Sequence, residues 1–190
     1  MTFWKSRSAL IVVTFVVALL AGCGSPAEAV DSTTDAAPVA AAASVGKEIT
    51  LAEGWKMQDA ITAEDVGAIT GTKMEYFPEA SASSKNGRPA AGYTIPGTPY
   101  SKIGFIGRLN DGKKEFEIQK QHAVEGSMQE LPDLGDKAYI MDLKDESTVV
   151  MVLLGEASIR ISWYPRVYEG FDKVELGRKL ASKLIENITR

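Results

Sequence analysis

Residues 147–163, "STVVMVLLGEASIRISW", limit the fold more than any other stretch. Two β-rich runs flank Gly155-Glu156, and the Gly-X pair is the signature of a type II′ turn joining antiparallel strands. In the second run Ile159, Ile161 and Trp163 alternate with Arg160 and Ser162, so one face is expected to be buried and the other wet. The first run has no polar residue in its middle and is expected to be central, covered on both faces. Whatever this chain folds into must contain this hairpin inside a larger sheet.

The rest of the pattern supplies that sheet and its cover. "KAYIM", "GYTI" and "SKIGFIGRL" read as further strands, with Pro96, Gly97 and Pro99 punctuating the last two. Thr62 and Asp65 have capping-box spacing and open a short helix that Gly71 closes. "DGKKEFEIQKQHAVEG" reads as a helix with Phe116, Gln119 and Ala123 on one face, with a strand through the alternating "EFEIQ" as the alternative. Asp172 and Glu175 open a final helix that carries Leu176, Leu180, Ala181, Leu184 and Ile188 on one side. The expectation is an α+β domain over residues 49–190: a mainly antiparallel sheet of about five strands packed with about three helices.

The N-terminal 48 residues differ in kind. Lys5 and Arg7 precede the apolar run from Ala9 to Leu20, and the small residues of "LAGC" follow. That is the layout of a secretory signal, with an apolar stretch short of the roughly 20 residues a spanning helix needs. Leu20-Ala21-Gly22-Cys23 resembles the lipobox of bacterial lipoproteins. The resemblance implies a signal peptide over 1–22, acylation of Cys23 and an anchored protein facing the extracytoplasmic side. Residues 24–48 are small, acidic and proline-punctuated, with no aromatic side chain, and read as a disordered stalk. Flexible-coil scaling gives it a reach of roughly 25–30 Å. Cys23 is the only cysteine, so no disulfide is expected.

The 21 basic residues become 19 once Lys5 and Arg7 are removed, against 25 acidic ones, a net charge of −6. Such a balance argues against a nucleic-acid partner. A second resemblance runs through the domain. Asp65-Val66 near its start and Leu134-Gly135-Asp136-Lys137-Ala138 before the hairpin are similar to motifs of small actinobacterial cell-envelope lipoproteins. Many of those have no known function. Here Asp133 stands where a glycine is common among them, and the disulfide that members often carry is missing. The resemblance implies a fold and an address, not a reaction.

No catalytic constellation stands up. "GRLNDGKK", Gly107 to Lys114, matches a phosphate-loop spacing, but Lys114 occupies the place of the magnesium-binding Ser or Thr. Asn110-Asp111-Gly112 is read instead as a tight turn, since these residue types tolerate positive φ. Ser44 of "SVGK" lies in the stalk, without the partner motifs a penicillin-binding serine requires. His122 is the only histidine and sits in a polar stretch, which leaves too few ligands for zinc. Asp142, Asp145 and Glu146 cluster in a loop but lack calcium-loop spacing, so neither metal nor cofactor is expected.

Tyr164, Arg166 and Tyr168 remain as candidate partner-binding residues. They share one parity if the chain stays extended past Pro165, and tyrosine and arginine are enriched in binding hot spots. The expected function is binding or assembly at the cell envelope, with an envelope protein or wall polymer as partner. A carrier of an apolar or amphiphilic ligand is the alternative, and a hydrolase without a histidine mechanism the second.

Overall fold

The hairpin forms as the sequence requires. Strands β6 (Thr148–Leu154) and β7 (Ala157–Trp163) pair in register from Leu154↔Ala157 to Thr148↔Trp163. Gly155 takes φ 59 whereas Glu156 has no positive φ, the pattern of a type II′ turn. This computed structural model describes residues 55–78 and 88–189, except for the side chain of Pro99. Cys23 and the segments read above as signal peptide and stalk lie outside the described residues.

Five further strands complete one antiparallel sheet: β1 (Glu75–Tyr76), β2 (Ala90–Ile95), β3 (Thr98–Arg108), β4 (Gln129–Glu130) and β5 (Lys137–Asp142). The order is β1-β2-β3-β7-β6-β5-β4. Two meanders thus meet at the β3–β7 pair, where Phe105 lies opposite Ile161. The helices are α1 (Met57–Ala60), α2 (Ala63–Thr70), α3 (Gly112–Lys120) and α4 (Lys173–Thr189). The architecture is α+β. The sheet has seven strands rather than five because β1 and β4 are two-residue edge strands, too short to leave a periodic trace in sequence.

Helices α1, α2 and α4 cover one face. Ile103 and Phe105 of β3, Val150 and Val152 of β6, and Ile161 and Trp163 of β7 meet Leu176, Leu180 and Leu184 of α4 there. Helix α4 comes close because Gly177 has no side chain; a Cβ there would lie 2.6 Å from Val150 Cγ2. Thr62 caps α2 as its spacing predicts: its hydroxyl accepts from Asp65 N at 3.1 Å, and Asp65 Oδ2 accepts from Thr62 N at 3.0 Å. Gly71 ends that helix in the left-handed region at φ 64. Two buried phenols tie segments into this layer: Tyr93 donates to Ile61 O and Tyr168 to Ser101 O. Burial raises the pKa of both, so each remains a neutral donor at neutral pH.

The opposite face carries α3 over part of its width. Phe116 stacks edge-on with Tyr139 and is buried with Met141, Val149 and Met151. The helix stops at Lys120, so Ala123 is not on its face as expected; it bridges to Leu143 instead. Asn110 and Asp111 lead into α3 at Gly112, and none of the three uses the positive φ that these residue types tolerate. Gly112 is demanded by proximity: a Cβ there would sit 2.2 Å from Ser158 N. Its N–H donates to Glu156 O at 2.9 Å, which seats α3 on the β6–β7 turn.

The motif before β5 has a related purpose. Gly135 adopts φ 60 with its missing Cβ 2.5 Å from Leu153 O, and Asp136 Oδ2 accepts from Gly155 N at 2.6 Å. The Gly-Asp pair therefore clamps the 131–136 turn to the hairpin. Asp133 is itself left-handed at φ 66, a conformation glycine adopts more easily.

Candidate functional site

The three predicted contact residues part company at Pro165. The chain does not stay extended; Pro165–Val167 form a 3-10 turn, with Val167 N donating to Tyr164 O at 3.1 Å and Tyr168 N to Pro165 O at 2.9 Å. Proline at the first position of such a turn costs no hydrogen bond and presets φ. The turn rotates Tyr168 beneath the sheet, where it is 5% exposed and bonded to Ser101 O at 2.6 Å. Tyr168 is thus a core residue and drops out as a surface contact. Arg166 is exposed and pairs with Glu146 at 2.6 Å, a surface ion pair of little energetic weight. Tyr164 is 45% exposed and lies on the other side of the sheet from Tyr168.

Tyr164 borders a concavity of about 410 Å³ on the face that carries α3, beyond the reach of that helix. Alternation along the central strands builds it. On β3, Ile103 and Phe105 point to the helical core, so Lys102 and Gly104 point the other way. On β7, Ile159, Ile161 and Trp163 point to the core, so Arg160 and Ser162 face out, followed by Tyr164. Gly104 pairs with Ser162 in the ladder, and these two small residues form the floor. Lys102, Arg160, Tyr100, Tyr164 and Asp145 stand around it. Among the described residues no helix lies over this part of the sheet.

Its electrostatics are unusual for an acidic protein. Neither Arg160 nor Lys102 has an ion pair among the described residues. The Lys102 ammonium rests 4.1 Å from the centre of the Phe77 ring, which attracts the charge without neutralising it. Arg160 is half-buried on a strand bonded on both sides, and its Nε is sealed from solvent with no hydrogen-bond partner. Asp145 is the acid among the residues that line the concavity. The Ser147 hydroxyl, at 2.6 Å from Oδ1, holds its carboxyl below the usual range; the Ser147 N–H and the Arg160 charge add to this, against desolvation.

The other acids of that loop are engaged by protein groups. Asp142 accepts from Thr148 at 2.8 Å and from Lys173 at 2.6 Å, and Glu146 holds Arg166. His122 is exposed on the turn after α3. A second concavity, about 320 Å³, lies beside α3 and the 131–136 turn. There Lys120 is paired with Glu117, and Asp136 accepts from Gly155 N, so these two groups serve the fold.

Parity placed Tyr164 and Arg160 on the wet face from sequence alone. Lys102, Gly104 and Tyr100 were out of reach, because they join the site only through the β3–β7 pairing. Comparison with protein-family models, with curated proteins and with solved structures finds no match. The site is therefore read from its own residues.

Proposed function

We propose that the chain is a lipid-anchored, extracytoplasmic envelope protein whose domain works by binding, through the open face of the β3–β7 pair. One observation carries the binding reading: a single sheet is closed by three helices on one face, yet on the other, beyond α3, leaves part of the β3–β7 pair open. The open part holds two cations without ion pairs among the described residues and two exposed tyrosines, Tyr100 at 80% and Tyr164 at 45%. Aromatic and arginine side chains in a concave setting are the composition of a contact hot spot. The occupant we favour is an envelope component that presents an anionic group, by complementarity to Lys102 and Arg160.

The address rests on the similarity of Leu20 to Cys23 to a lipobox. The carrier alternative gains no support from the packing, since Trp163, Tyr93, Phe105 and Met57 fill the layer between sheet and helices and are almost wholly buried. A photo-crosslinking amino acid placed at Tyr164 or Tyr100 in the full-length protein, in its own envelope, is expected to capture a discrete partner. The same group at Ile118, on the outer side of α3, should not. Equal labelling at all three positions, or none at any, contradicts binding through this face.

A further inference from the structure

The concavity is selective in charge, and its construction says for what. We infer that it takes a ligand presenting a single oxyanionic group, a carboxylate or its phosphate equivalent, on a flat body that lies between Tyr100 and Tyr164. This inference rests on the binding reading above and names the chemistry of that site's ligand.

The anchor is Arg160. It stands on β7, which is hydrogen-bonded to β3 on one side and β6 on the other, opposite Ile106 and Met151. The burial of its Nε keeps the side chain from sweeping freely through solvent, so its guanidinium edge is presented at low entropic cost. A planar guanidinium matches the paired oxygens of a carboxylate or phosphate. Lys102 supplies a second positive charge at the rim, and Asp145 removes one, which leaves a local excess of one positive charge. One anionic group balances that excess; a polyanion would meet Asp145 with repulsion.

The floor points the same way. Gly104 has ordinary strand φ, and a Cβ there would touch nothing closer than Ser162 Oγ at 3.4 Å. Neither backbone strain nor crowding requires glycine at this place. Glycine weakens a strand interior and often marks the close approach of a ligand. Over Ile103–Arg108 recognition must also come from side chains, because that part of β3 is paired with β7, and β7 with β6 on its other side.

The test uses full-length protein in detergent micelles with 15N-labelled arginine, titrated with acetate and with glucuronate, and with chloride as the ionic-strength control. A saturable shift of the Arg160 Nε–H signal is expected for both carboxylates, with glucuronate at least fivefold tighter because its ring meets the tyrosines. Gly104→Val fills the floor while keeping every charge, and should weaken both by at least fivefold; Arg160→Gln should abolish saturation. Shifts that stay linear and match those in chloride overturn the inference. So does undiminished capture of the partner by the crosslinker at position 164 in a folded Arg160→Gln protein, an outcome that leaves binding through this face intact. Loss of capture at position 164 in the unsubstituted protein overturns the binding reading itself, whatever the anions do.

Discussion

Gly112→Ala is expected to destabilise the domain by about 3 kcal/mol, at the upper end of what overpacking a tight site costs. Helix propensity alone gives the opposite sign, since alanine is favoured over glycine in a helix by roughly 1 kcal/mol. The neighbours decide the matter. The added methyl would stand 2.2 Å from Ser158 N, 2.3 Å from Ala157 C and 2.5 Å from Glu156 O, all backbone atoms of the β6–β7 turn region. Backbone cannot rotate away as a side chain can. Helix α3 must lift, and with it go the Gly112–Glu156 hydrogen bond and part of the cover over Tyr139 and Met151. Urea unfolding of the two proteins measures the difference. Increased stability would show that α3 does not sit on the hairpin as described.

Cys23→Ser is expected to abolish lipid modification altogether. The lipobox resemblance makes the Cys23 sulfur the acyl acceptor, and the chain has no second cysteine to replace it. A serine hydroxyl keeps the size but loses the nucleophilic thiolate, because an alcohol stays protonated where a thiol partly ionises. The substituted chain should remain an unprocessed precursor at the membrane, keeping its apolar run from Ala9 to Leu20 and lacking the mass of the acyl chains. Normal processing and partitioning of the Cys23→Ser protein would contradict the proposed address.

These two positions show what could be read in advance. The proposed role of Cys23 rests on four consecutive residues, and the capping pair Thr62–Asp65 and the β6–β7 turn are equally local. Each depends on neighbours within a few residues, which is the range over which periodicity and turn chemistry act. Gly112 is different: its reason lies in residues 156–158, brought close only by the folded sheet. Tyr168 was misplaced for a subtler cause. Alternation was carried past Pro165, whereas proline began a 3-10 turn that reversed the side chain's face. The binding concavity was half legible, since Arg160 and Tyr164 share the parity of the wet face. Lys102 and Gly104 come from a strand more than fifty residues earlier, and no local pattern gives that register.

The account's central claim is that the face around Gly104 and Ser162 is occupied when the protein is in its envelope. Hydroxyl-radical footprinting of the tyrosines, compared between intact envelopes and the purified full-length protein, tests it most directly. Tyr168 serves as the internal reference, since burial should keep it slow to react in both. Tyr100 and Tyr164 are expected to react quickly in the purified protein and to be protected several-fold in the envelope. Equal reactivity of Tyr100 and Tyr164 in the two preparations would contradict the claim.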